Sequence, residues 1–122
     1  MQAVNREPKT EGDVKEMARD WFLDRDGWSY APVQNGLGVH GIHDRVGVVP
    51  VLITPDMVGR KIGAFVSIEC KAPGRRGEPR RGLSMHQLLV GEKIREAYGL
   101  TVVCDGQEDL DRLDDMFKAP RG

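Results

Sequence analysis

A chain of 122 residues, 39% hydrophobic and 30% charged, has room for one modest core and the composition of a globular domain, which excludes a disordered tail and a membrane-embedded protein. No apolar run approaches the roughly 20 residues that span a bilayer, and Met1-Gln-Ala-Val-Asn-Arg-Glu-Pro8 lacks the apolar core and cleavage site of a secretory signal. A cytoplasmic protein without membrane contact is expected. The net charge of -1 argues against a nucleic-acid coat protein, yet five positive charges fall between Lys71 and Arg81 while Asp105 to Asp115 is strongly acidic.

Apolar residues at Val14, Met17, Ala18, Trp21 and Phe22 recur at helical spacing and predict an amphipathic helix from Glu11 to Arg25, stopped by Asp26-Gly27. Trp28 to Val33 reads as a short strand and Gln34 to Gly38 as a glycine-rich turn. Val46 to Thr54 is Val- and Ile-rich, with Pro50 demoting part of it to an edge or bulge. Ile62 to Lys71 is the clearest strand: Val66, Ile68 and Cys70 share a face suited to the core, and Ser67, Glu69 and Lys71 share the other. A loop of Gly, Pro and Arg runs from Ala72 to Gly82. A helix is expected from about Ser84 to Tyr98, with Leu88, Leu89, Ile94 and Ala97 among its apolar positions and Gly99 ending it. Leu100 to Cys104 is a further strand and Gln107 to Phe117 a short acidic helix. Cys70 and Cys104 lack the spacing of a redox motif or zinc site and are expected reduced and buried.

Glu69-Cys-Lys71 carries the chemistry of interest. Cleaving a phosphodiester requires a divalent cation near the scissile phosphate, an attacking water, and positive charge where negative charge develops. A carboxylate holds the metal, and a lysine on the same strand face orients the water. Mg2+ keeps several waters, so one or two further carboxylates suffice. Asp44, in Gly41-Ile-His-Asp44-Arg-Val-Gly47 just before a strand, is the best second ligand. The competing explanation is a weak exposed salt bridge between Glu69 and Lys71. His40, His43 and His86 match no usual ligand spacing and read as solvated or locally satisfied.

The ordered set Glu11, Gly41-Ile-His-Asp44, Ile68-Glu-Cys-Lys71-Ala72, Gly74-Arg-Arg-Gly77 and Leu83-Ser-Met-His-Gln87 resembles the virus-type replication-repair nuclease (VRR-NUC) domain of the PD-(D/E)xK superfamily. The resemblance covers nearly the whole chain, as a single domain over 1–122. One position departs: His43 stands where the family often has proline. The resemblance implies an α/β restriction-endonuclease-like core, a central mixed sheet flanked by helices, and hydrolysis of DNA with Mg2+ or Mn2+. It implies that Asp44 and Glu69 bind the metal, that the Cys70 carbonyl adds a ligand, that Lys71 assists the water and that Gln87 supports the site. Glu11 is a further candidate ligand, though an acid at a helix start is also favoured by the helix dipole. Ser84-Met-His-Gln87 equally matches a helix capping box. Arg75, Arg76, Arg80 and Arg81 are candidate phosphate contacts, since arginine binds phosphate through two parallel hydrogen bonds.

Free-standing members of that family look like homodimers acting on branched DNA such as four-way (Holliday) junctions, and two symmetric cuts suit a twofold dimer. Trp28, Tyr30 and the Val46 to Ile53 segment are candidates for the dimer patch. The alternatives are a nuclease acting on flaps or linear DNA, a nuclease-like module that binds nucleic acid without cutting it, and a protein-interaction domain using the acidic last helix.

Overall fold

The computed structural model describes residues 7–33, 41 and 43–117, apart from the side chains of Arg76 and Phe117. The expected glycine-rich turn at 34–38 and His40 lie outside the described residues. The architecture is mixed α/β, with three α-helices and two two-stranded sheets among the described residues, in two compact units, Met1–Phe65 and Val66–Gly122. In place of one ladder through a central sheet, the described strands pair two by two. No described helix is long and apolar enough to cross a membrane.

The first unit begins with α1 (Glu11–Leu23), whose start is fixed by chemistry local to the chain. The Thr10 hydroxyl accepts from the Asp13 N–H at 3.1 Å, and the Asp13 carboxylate accepts from the N–H groups of Lys9 and Thr10. Those bonds, the one from Lys9 first, hold the Asp13 carboxyl below its ordinary range. The helix ends two residues before the expected Arg25: Asp26 is left-handed at φ 56°, and the Gly27 N–H returns to the Phe22 carbonyl at 2.9 Å.

Strands β1 (Trp28–Tyr30) and β2 (Val46–Val48) pair antiparallel, with Ser29 opposite Gly47. Glycine is required there, because a Cβ on Gly47 would collide with the Trp28 carbonyl and one on Gly27 would lie 2.6 Å from the Val48 carbonyl. The expected strand to Thr54 is cut to three residues. β1 offers only three partners, and Pro50 carries no N–H to extend the ladder. Val51, Leu52 and Ile53 are consequently exposed coil, and none of the described residues of this unit is fully buried.

The second unit holds the fully buried residues among those described: Leu83, Ile94, Ala97, Gly99, Val103, Leu113 and Asp109. β3 (Val66–Cys70) and β4 (Leu100–Cys104) pair in parallel, from Val66 opposite Leu100 to Cys70 opposite Cys104. β3 is shorter than the expected Ile62 to Lys71 because β4 supplies only five partners, although the Lys71 N–H still reaches the Cys104 carbonyl at 2.9 Å. Between them α2 (Met85–Glu96) ends in a Schellman motif: the Tyr98 N–H bonds the Arg95 carbonyl and the Gly99 N–H the Ile94 carbonyl. The left-handed residue is Tyr98, at φ 67°, not Gly99. The acidic helix α3 (Gln107–Phe117) packs against β4 through its apolar stripe, with Leu113 buried. Buried Asp109 accepts from the Asp105 N–H and from Arg112, so part of this charge run is structural rather than a solvated face.

Candidate active site

The burial of β3 reverses the sequence expectation. Val66, Ile68 and Cys70 are exposed, whereas Ser67 and Glu69 are half-buried. In-register neighbours on adjacent strands face the same way, so Ser67, Glu69, Thr101 and Val103 form one surface. Together with Leu83, Gln87, Leu88, Gly91 and Ile94 of the α2 region they line one cleft. Alternation alone located the polar face but not the helix that covers it. The expectation that Cys70 is buried is corrected for the same reason, and Cys104 is half-exposed.

This reversal brings the first turn of α2 onto the catalytic candidates. The Gln87 amide nitrogen donates to Glu69 Oε1 at 2.7 Å, and Gln87 Oε1 accepts from Lys71 Nζ at 3.1 Å. Lys71 Nζ also stands 3.6 Å from Glu69 Oε1, with its side chain only 13% exposed. The amide is held from behind by the cap, since Gln87 Oε1 accepts from the Ser84 N–H at 2.9 Å and the Gln87 N–H donates to the Ser84 hydroxyl at 3.1 Å. The capping-box explanation of Gln87 is realised, and the same side chain also hydrogen-bonds Glu69 and Lys71. One side chain closes the capping box and ties together the ends of the Glu-x-Lys pair. The ion pair of the competing explanation is present at 3.6 Å, with Gln87 bridging its two ends.

The ammonium of Lys71 has three donors, and Gln87 and Glu69 engage part of that capacity. The remainder suits a water or a phosphate oxygen. The cleft, about 220 Å³, is smaller than the roughly 300–1,000 Å³ of pockets that enclose small molecules.

The arginine segment is ordered into two 3₁₀ turns, Arg75–Gly77 and Pro79–Gly82. Arg75 is engaged by Glu78 at 3.0 Å, and Arg80 Nε donates to the Leu83 carbonyl at 3.1 Å. Arg81 instead lines the cleft with Glu69, His86 and Gln87. Arg80 and Arg81 are both left-handed, at φ 54° and 55°, and are followed by Gly82 at 79°. Two non-glycine residues in that region cost on the order of 1–3 kcal/mol each. The Arg76 side chain lies outside the described residues.

Asp44 and Glu11 belong to the first unit, where they line one open cavity with Lys15 and Arg45. That these two acids line one cavity is a grouping that helical and strand periodicity did not reveal. His43 is exposed. Among the described residues no three His, Cys, Asp or Glu side chains gather into a metal cage. β3 by itself offers the Glu69 carboxylate and the Cys70 carbonyl. Because the Lys71 N–H points to β4, strand alternation turns the Cys70 carbonyl to the edge of β3 away from β4. An all-oxygen set of few ligands fits a hard cation that keeps its waters, Mg2+ or Mn2+, and not a thiolate-bound zinc.

Comparison with protein-family models, with curated proteins and with solved structures finds no match to this chain.

Proposed function

We propose that this protein is a metal-dependent endodeoxyribonuclease on a PD-(D/E)xK, restriction-endonuclease-like core, related to the virus-type replication-repair nucleases. The observation that carries the reading is the hydrogen-bonded chain Lys71–Gln87–Glu69, locked by the Ser84 cap at the end of a parallel strand. On the second unit Glu69 and the Cys70 carbonyl would hold Mg2+ or Mn2+; Asp44 and Glu11, which line a cavity of the first unit, are further candidate ligands. The cation would supply Lewis-acid stabilisation of the phosphoryl oxygens. Lys71 orients the attacking water and balances developing charge, while Gln87 keeps the carboxylate and the ammonium in register. A binding-only module has no need of this arrangement, since a basic segment alone holds a phosphate backbone.

The further proposal is that the active unit is a twofold homodimer cutting branched DNA, four-way junctions included. Exposed Tyr30 and the exposed run Val51, Leu52 and Ile53 support an apolar patch for self-association. The deciding experiment incubates the purified chain with junction, flap and linear duplex DNA, with Mg2+, with Mn2+ and with a chelator, alongside light scattering at micromolar concentration. Metal-dependent cleavage is expected, with junctions preferred and a dimer in solution. DNA binding without cleavage under any metal would replace the nuclease by the binding module. A monomer cutting linear duplex equally well would leave a nuclease but remove the junction reading.

The cleft geometry separates the arginines. Arg81→Ala is expected to weaken binding of every duplex and to reduce the slope of log K against log salt by roughly 0.9, the loss of one phosphate contact. Arg75→Ala, whose guanidinium is already engaged by Glu78, is expected to change that slope less. Salt titrations of binding in the presence of Ca2+ provide the measurement, and equal slopes for Arg81→Ala and the unaltered protein would place Arg81 off the DNA path.

A further inference from the structure

We propose that Cys70 and Cys104 form an oxidation site, a pair of facing thiols that a peroxide converts reversibly into an intrachain disulfide. The two residues are in-register partners at the carboxyl ends of β3 and β4, so both side chains leave the same face of the sheet. Neighbouring strands lie about 4.8 Å apart, within the roughly 4.4–6.8 Å between Cα atoms that a disulfide bridges. Both thiols are free, Cys70 is exposed, and Cys104 is half-exposed. Cys104 is held only lightly, its thiol donating to the Gly106 carbonyl at 3.4 Å.

The chemistry runs in two balanced steps. The exposed Cys70 thiol takes one oxygen from hydrogen peroxide to give a sulfenic acid and water, and the Cys104 thiol then displaces that oxygen as a second water while the S–S bond forms. Two thiols are oxidised by two electrons and one peroxide is reduced. An in-register bridge between parallel strands must draw the two Cβ atoms closer than the ladder holds them, and a strained disulfide is the more readily reduced. Reversibility follows from the same geometry that makes the pair.

The consequence for the site rests on the proposed nuclease reading. Cys70 is the residue between Glu69 and Lys71, so drawing it toward β4 displaces both neighbours. Their bonds to Gln87, at 2.7 and 3.1 Å, leave little tolerance for that movement. Oxidation is therefore expected to switch cleavage off and a dithiol reductant to restore it.

The test uses the reduced full chain, treated with hydrogen peroxide and followed by thiol titration, intact mass and non-reducing electrophoresis. The free-thiol titre should fall from two per chain to none, with a mass lower by two hydrogen atoms, unlinked chains, and full recovery with dithiothreitol. The Cys104→Ser variant should instead accumulate a sulfenic acid on Cys70 that dimedone traps, and, with no bridge to draw Cys70 toward β4, it should retain cleavage after the peroxide treatment that silences the unaltered protein. Oxygen added to Cys70 with Cys104 still titratable in the unaltered protein, or chains linked to one another, would overturn the proposal. Thiol titre and mass decide it whether or not the reduced protein cuts DNA. Absence of cleavage from the reduced protein counts against the nuclease reading alone.

Discussion

Lys71→Ala is expected to lower kcat for metal-dependent cleavage by about 10²- to 10³-fold, the loss that follows removal of one preorganised group stabilising transition-state charge. The fold should survive. The Lys71 backbone N–H keeps its bond to the Cys104 carbonyl, and Gln87 Oε1 keeps the Ser84 N–H, so neither the β3–β4 ladder nor the α2 cap depends on the ammonium. Glu69→Gln should be at least as inactive at any metal concentration, because it exchanges the anionic ligand for a neutral amide while keeping an oxygen that can accept from Gln87. Duplex binding by both variants should stay within a fewfold of the unaltered protein. Circular dichroism and thermal melting establish that they are folded, and single-turnover cleavage at saturating metal and substrate gives the rate. If either variant cuts at the full rate, Glu69 and Lys71 are a structural pair and the active site lies elsewhere.

What could be read from the chain follows the range of the interaction that fixes each element. Helix positions were legible because helices are set by chemistry within a few residues: Ser84 and Gln87 announce the start of α2, and both of their bonds form. Periodicity placed α1 and α3 within two residues of their observed ends. Strand lengths were not legible, because a strand extends only as far as its partner. β3 stops where β4 stops, and β2 stops after the three residues that β1 can match. The pairing of Glu69 with Lys71 on one face was legible from alternation. That this face, and not that of Val66 and Ile68, lies under α2 was not, because it depends on which side of the sheet the crossover helix returns. The arginines show the same limit. Composition marked them as a basic segment, but only the two left-handed residues Arg80 and Arg81 separate an arginine that caps a carbonyl from one that lines the cleft.

Gln87 offers the sharpest separation of structure from catalysis, because glutamate serves as well as glutamine at the third position of a capping box. In Gln87→Glu a carboxylate oxygen can still accept from the Ser84 N–H and from Lys71, and an acid in the first turn is favoured by the helix dipole. The α2 cap should therefore survive, and the melting temperature should stay above that of Gln87→Ala. The same change removes the amide N–H that donates to Glu69 at 2.7 Å and sets two carboxylates against each other, so the geometry of the Glu69–Lys71 pair is lost. Cleavage should fall about tenfold or more, since a misplaced catalytic group costs rate even where the chemistry is otherwise intact. Gln87→Ala, by contrast, removes both roles: α2 loses its reciprocal cap, for a destabilisation on the order of 1 kcal/mol, and cleavage falls as well. The two variants together decide the matter, with thermal melting reporting the cap and kcat at saturating metal reporting the site. Were Gln87→Glu to keep both its melting temperature and its rate while Gln87→Ala lost only stability, Gln87 would be a helix cap that happens to stand beside Glu69, and the hydrogen-bonded chain could no longer carry the nuclease assignment.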